Sequence, residues 1–87
     1  MKVLPNPGSL EMTVAFDLPE TQVVKVEIFD VTGRLVRTPV DHRWPAGHHS
    51  VAWDGRNTAG RPVTAGAYYV RMVADDFLET QGVTVLR

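Results

Sequence analysis

The chain has 87 residues, 44% of them hydrophobic, with nine basic and ten acidic side chains and a formal net charge of −1. This length fits one domain spanning residues 1–87, and the composition argues against intrinsic disorder. The near-zero charge gives no electrostatic basis for binding nucleic acid, no apolar run is long enough for membrane insertion, and the lack of cysteine excludes disulfides and thiolate chemistry.

The first predicted strand is "MTVAFDL", residues 12–18, in which apolar side chains alternate with less apolar ones. The segment before it, "MKVLPNPGSLE", has no apolar core of the kind found in a signal peptide. An exported domain of this type would therefore owe its export to another part of a larger protein.

The next strand is "VVKVEIFD", residues 23–30, where Val24, Val26 and Ile28 are expected to face inward and Lys25 and Glu27 outward. A polar turn, "DVTGR", leads from it into a strand at 34–40. Residues 41–47, "DHRWPAG", are expected to be a connection. Six prolines break every long helical window.

Alternation resumes in "HHSVAWD", residues 48–54, and again in "AYYVRMVA", residues 67–74. Between these strands, residues 54–66 are predicted to be a turn and linker. Asp75 and Asp76 then form a tight turn into the last segment, "FLETQGVTVLR". Six or seven short strands at spacings of about 8–12 residues, with no crossover helix, predict an all-β, largely antiparallel β-sandwich.

The loop "DGRNTAG" could hold an ion, but it offers only Asp54 and Asn57 as side-chain oxygen ligands. Calcium takes about six to eight oxygen ligands, so a turn in which Asp54 accepts backbone N–H bonds is the better interpretation. The loop also lacks the lysine and Ser/Thr of a phosphate loop, and no helix follows it. No metal, cofactor or catalytic residue is expected here.

The histidines predict no zinc site, because His48 and His49 point to opposite faces of a strand and His42 lies in the connection. Ser50, beside His49, also faces away from it, so no catalytic triad forms, and so short a chain offers little cleft for a substrate. The domain is therefore expected to be non-enzymatic. Three aromatic side chains, Phe29, Trp44 and Tyr69, could form a sugar-binding platform if they shared an exposed face.

Several segments in order, "LPNPG", "VEIFDVTGRLV", "WPAGHHSVAWDGRNTAGRPVTAGAYYVRM" and "ETQGVTVLR", closely resemble the type A C-terminal sorting domain of type IX secretion cargo. The related immunoglobulin-like domain of the flagellar hook-capping scaffold protein carries the same pattern. The positions that carry the resemblance are Asn6, Pro7, Asp30, Gly33, Arg34, Gly47, Trp53, Asp54, Gly55, Gly60, Gly66 and Tyr68.

The resemblance implies a seven-stranded immunoglobulin-like sandwich within a larger exported protein, with these positions serving the fold. It also implies a route through the periplasm and an outer-membrane translocon to the cell surface. The expected partners are the translocon or shuttle proteins, a sortase-like protein and the rest of the parent chain. The residues expected to be recognised are Val83, Thr84, Val85, Leu86 and Arg87.

The last strand departs from that family, since it has Gln81-Gly82 where sorting domains often carry a lysine. A second hypothesis is therefore a structural immunoglobulin-like module, either a spacer in an extracellular enzyme or a subunit contact like that of the hook-capping scaffold. Carbohydrate binding is a third.

Overall fold

Seven strands follow one another in a computed structural model that describes residues 1–5, 11–75 and 77–86. They are β1 (Lys2–Pro5), β2 (Met12–Leu18), β3 (Gln22–Asp30), β4 (Leu35–Trp44), β5 (Gly47–Trp53), β6 (Gly66–Ala74) and β7 (Phe77–Val85). All the strand pairs are antiparallel. The predicted all-β sandwich is confirmed.

The strands form two sheets, one of three strands in the order β1-β2-β5 and one of four in the order β4-β3-β6-β7. β2 pairs with β5 from Met12 opposite Trp53 to Leu18 opposite Gly47. β3 and β6 are the central strands of the larger sheet. No helix capable of spanning a membrane occurs in the described part of the chain.

The core lies between the two sheets and comes from the alternation visible in the sequence. Val24, Val26 and Ile28 of β3 are completely buried, and they face the inward side chains of β2 across the sandwich. Burying this apolar surface is the main driving force for folding, worth about 25 cal/mol per Å². The inward positions predicted for β3 are confirmed, and the alternation predicted for β2, β5 and β6 appears as alternating burial of their side chains.

Two elements differ from the sequence prediction. β1 was not expected, because four residues ending in proline show no alternation, yet Val3 is buried and β1 pairs with β2. The prediction that residues 41–47 form a connection is also wrong in part, because β4 continues to Trp44. His42 is therefore a strand residue, paired opposite Val24.

Glu27 lies on the outward face of β3 as predicted, but it is buried rather than exposed. The Arg71 side chain of neighbouring β6 donates two hydrogen bonds to Glu27 Oε1, at 3.2 and 2.9 Å. Lys25 Nζ lies 3.9 Å from Glu27 Oε2, the other carboxylate oxygen. The carboxylate is covered because these two cations flank it on a central strand.

Candidate functional site

The signature loop, residues 54–65, leaves β5 at a buried tryptophan. The Trp53 side chain is 1% exposed, and its indole N–H donates a 2.9 Å hydrogen bond to the Arg56 carbonyl. Asp54 Oδ1 accepts a 3.0 Å hydrogen bond from the Arg56 backbone N–H and lies 3.7 Å from the Arg37 guanidinium. Asp54 therefore acts as the first residue of a turn.

The middle of the signature loop is held by its own polar groups and by β4. Asn57 Oδ1 accepts from the Arg61 N–H at 3.0 Å, and the Gly60 N–H donates to the Asn57 carbonyl at 2.9 Å. Gly60 has a φ of +81°, a left-handed conformation that favours glycine. Thr58 donates both its backbone N–H and its hydroxyl to the Val36 carbonyl, each at 3.1 Å.

The loop closes on itself before β6 begins at Gly66. The Val63 N–H donates to the Gly55 carbonyl at 2.9 Å, and the Tyr68 hydroxyl donates to the Thr64 carbonyl at 2.8 Å. The Tyr68 ring also makes an edge contact with Trp53, with ring centroids 6.0 Å apart. Because Asp54 and Asn57 both bond within the loop, its geometry is that of a structural corner. No group of His, Cys, Asp and Glu able to hold a metal occurs in residues 1–5, 11–75 and 77–86.

A second corner, the Asp30 turn, spans residues 30–34 between β3 and β4. Asp30 Oδ1 accepts hydrogen bonds from the Thr32 hydroxyl at 2.6 Å, the Thr32 N–H at 2.9 Å and the Arg34 N–H at 3.1 Å. The Thr32 hydroxyl, helped by these N–H groups and the nearby Arg34 charge, lowers the pKa of the exposed Asp30 carboxyl. Gly33 takes a φ of +84° within this turn.

The signature loop and the Asp30 turn enclose an open groove of about 460 Å³ at one end of the sandwich, which we call the end groove. Its lining includes Arg34 and Leu35 on one side and Thr58, Pro62 and Val63 on the other. The two walls come from segments more than 20 residues apart, so no local sequence pattern predicts the groove. In the sequence, the groove is indicated only by the fact that the Asp30 turn and the signature loop both contain positions that carry the family resemblance.

The outer face of the four-stranded sheet carries a partly apolar surface. Phe29 and Tyr69 are directly opposite each other on β3 and β6, and the Arg71 guanidinium lies 4.6 Å from the centre of the Phe29 ring. Arg71 thus covers part of the Phe29 ring. Leu35, Tyr69 and Leu78 remain about half exposed.

Trp44 does not share this outer face. It lies at the rim between the sheets, stacked on His42 at 4.5 Å and close to the rings of His49 at 4.8 Å and Phe16 at 5.6 Å. Its indole nitrogen is buried with no hydrogen-bond acceptor in the described part of the chain. The three aromatics considered for sugar binding, Phe29, Trp44 and Tyr69, therefore form no common platform.

The remaining histidines are each engaged separately. His48 bonds to Asp17 on β2, whereas the His49 Nε2–H donates to the Pro45 carbonyl at 2.6 Å. Their side chains leave opposite faces of β5, as expected of neighbours in a strand.

The proposed recognition residues lie at the end of β7, which has one hydrogen-bonded neighbour, β6, among the described strands. Val85 is buried and Val83 packs partly against the core, so these two side chains face away from a partner. Thr84 and Leu86 are exposed. Three of the motif and recognition residues, Asn6, Pro7 and Arg87, lie outside the described residues, as does Asp76 of the predicted turn.

Comparison with known proteins gives two findings. Residues 5–76 match the family model described as FlgD Ig-like domain. Among solved structures, FlgD from P. aeruginosa resembles this chain with a TM-score of 0.67 and 21% sequence identity, over 94% of this chain and 68% of that one. No curated protein gives a significant match. The likeness to the solved structure supports the immunoglobulin-like fold.

Proposed function

The chain belongs to the family of FlgD Ig-like domains, and from this premise we propose that it is a non-catalytic structural module of the flagellar hook-capping scaffold type. Family membership is the observation that carries the proposal. The site geometry agrees with it, because the most motif-rich segment, the signature loop, uses its polar groups to build a corner. A module of this kind would act outside the cytoplasm as part of a longer exported protein.

The contact surface of the proposed module is the outer face of the four-stranded sheet. Leu35, Phe29 and Tyr69 lie opposite one another across β4, β3 and β6 and form a row of apolar side chains on this face. Leu78 is a further exposed apolar side chain on the face, four positions along from Tyr69 and opposite Val73. Exposed apolar surface rimmed by polar residues is typical of protein contacts. Gly82 lies directly opposite Tyr69 and has no side chain, so it leaves the neighbouring edge of the Tyr69 ring uncovered. The partner we propose is a neighbouring subunit of a hook-type assembly.

The experiment that tests this places a photo-crosslinking amino acid at Tyr69 or Leu78 in the parent protein within flagellated cells. Ala52, exposed on the three-stranded sheet, is the matched control position. We expect crosslinks to flagellar axial proteins from the first two positions and none from the third. Equal crosslinking at all three positions, or none at any, would contradict the proposal.

A second candidate function is the type IX sorting signal, which one observation favours. β7 is an edge strand whose free side could pair with a strand of a receptor. Thr84→Pro and Leu86→Asp change exposed positions of this strand end and spare the buried Val85. If the chain is a sorting signal, each substitution should leave a fused cargo in the periplasm of a type IX secreting cell. Unchanged surface display would eliminate this candidate.

A further inference from the structure

β7 is the least protected sheet edge among the described strands. The edge strand β1 has only four residues and ends at Pro5, and the edge strand β4 contains Pro39 and shifts its register against β3. The edge strand β5 lies against Trp44 of β4 through His49. β7, in contrast, has nine residues, no proline and an uninterrupted register with β6. Unpaired backbone N–H and C=O groups on such an edge recruit further strands, so the free side of β7 is suited to accept one.

The outer face of β7 has a gap at Gly82 and a protruding side chain at Leu78. The Tyr69 ring borders the gap, since a Cβ at Gly82 would lie 3.7 Å from Tyr69 Cε1. Leu78, on the same face, is 63% exposed. Thr80, which is also exposed, lies midway between the gap and the leucine. A gap and the side chain able to fill it, placed at equal distances from one residue, match the geometry of a two-fold symmetric contact.

We propose that two copies of this chain pair through β7, antiparallel, about a two-fold axis at Thr80. Such an axis is perpendicular to the sheet, so outward side chains of one copy lie opposite outward side chains of the other. Leu78 of each copy then lies opposite Gly82 of the other copy. Cβ positions directly opposite each other are about 4.5–5.5 Å apart, so the leucine fills the gap and contacts the Tyr69 ring. The four-stranded sheets of the two copies merge into one continuous sheet.

The register at Thr80 is favoured by the side chains that it brings together. It places Glu79, the only charged residue of β7, opposite Gln81 of the other copy, and an amide can donate a hydrogen bond to a carboxylate. An axis at Glu79 would place two carboxylates directly opposite each other, which is destabilising. An axis at Gln81 or at Gly82 brings threonine or glycine to the gap and leaves the Tyr69 ring without an apolar neighbour.

The occupant of the edge is a second copy because β7 itself carries both the gap and the leucine that fills it. The contact is isologous and closed, since each copy uses its single β7 edge once. This inference goes beyond the proposed function, because it needs no flagellar component and leaves Phe29 and Leu35 of the outer sheet face free. Its tests use the purified chain alone, so their failure would leave the proposed function standing.

The first test is sedimentation of the 87-residue chain at concentrations up to about 1 mM, where a weak contact is populated. We expect the weight-average mass to rise from 9.6 kDa toward twice that value and to stop there. Leu78→Ser should raise the dissociation constant at least about tenfold, because each dimer loses two leucine contacts. Leu86→Ser is the matched control, since Leu86 is 73% exposed but lies outside the paired residues. Circular dichroism verifies that both variants remain folded. A monomeric wild type, assemblies larger than a dimer, or equal effects of the two variants would overturn the proposal.

Cysteine crosslinking tests the register independently, because the chain has no cysteine of its own. Thr80→Cys places two thiols opposite each other on the axis, near the Cβ separation of a disulfide, and should give a covalent dimer under mild oxidation. Thr84→Cys is an exposed control on the same face, and in this register its two copies lie about 27 Å apart along the strands. It should therefore crosslink far more slowly. Equal rates for the two variants would show random collision and would refute the register.

Discussion

Trp53→Phe tests the conclusion that the signature loop is held from inside the core. The substitution removes the indole N–H that bonds the Arg56 carbonyl at 2.9 Å and leaves that acceptor without its donor. A lost hydrogen bond of this type costs about 1 kcal/mol, and the smaller ring loses about 1 kcal/mol of buried apolar area. We therefore expect the free energy of unfolding to fall by about 2 kcal/mol, from a total of about 4–13 kcal/mol for a chain of this size.

Trp44→Phe is the matched control, because the chain has two tryptophans and, among the residues that the structure describes, only Trp53 finds an acceptor for its indole N–H. Here the substitution removes a buried donor that has no acceptor in the described residues, which is favourable, while it loses stacking area against His42. The two effects are of similar size and opposite sign. We expect the unfolding free energy to change by less than about 0.5 kcal/mol.

The assay is thermal and urea unfolding followed by far-UV circular dichroism. A loss of 2 kcal/mol lowers the Tm of a domain this small by about 8–16 °C, which is easily measured. Each variant also keeps a single tryptophan, so its fluorescence reports the remaining site. If Trp53→Phe costs no more than Trp44→Phe, the bond to Arg56 does not hold the loop and the reasoning fails.

Three further predictions concern the corners and the outer sheet face. Because its folded-state pKa is lowered, Asp30 stabilises the fold above its unfolded pKa and loses this effect as pH falls through the folded pKa. Asp30→Asn should therefore lower the Tm at neutral pH, and the difference from wild type should disappear in melts recorded at a pH below the folded pKa. Gly82→Ala should raise the unfolding free energy by about 0.5 kcal/mol, because a Cβ at that position meets only ordinary van der Waals contacts. Gly60→Ala should lower it by about 1 kcal/mol, because alanine is strained at a φ of +81°. Equal effects of the two substitutions in urea titrations would contradict this. Arg71→Met should lower the unfolding free energy by about 1–2 kcal/mol, because it leaves the buried Glu27 carboxylate without its two hydrogen bonds. The same substitution in a Glu27→Leu background should have no such effect. If the double-mutant cycle shows an effect of Arg71→Met that does not depend on Glu27, the pairing of the two residues is refuted.

Local patterns predicted most of the sandwich because burial imposes them on each strand separately. Alternation in β2 and β6 places Phe16 and Val70 inward without any knowledge of the neighbouring strands. β1 escaped prediction because four residues ending in proline are too short to show a period. Similarly, Pro45 and Gly47 suggested an early end to β4, whereas Trp44 continues the strand by packing at the rim.

Features that depend on strand pairing could not be predicted from one sequence. Glu27 is buried because Arg71, 44 positions away, is its neighbour across the sheet. The end groove needs Leu35 and Pro62 to face each other, which only the assembled sheets bring about. The role of Asp54 in a turn was accessible, since ligand counting and turn chemistry are both local.

The two hydrogen bonds that Thr58 donates to the Val36 carbonyl affect the motion of the domain. The signature loop leaves β5 in one sheet and is fastened by Thr58 to β4 in the other, so it ties together two layers that otherwise meet through side chains. The amide hydrogens of Asn57, Thr58, Gly60 and Val63 are all engaged. Their exchange with solvent deuterium should thus be as slow as that of the strands, which makes this polar, glycine-rich loop one of the rigid parts of the molecule.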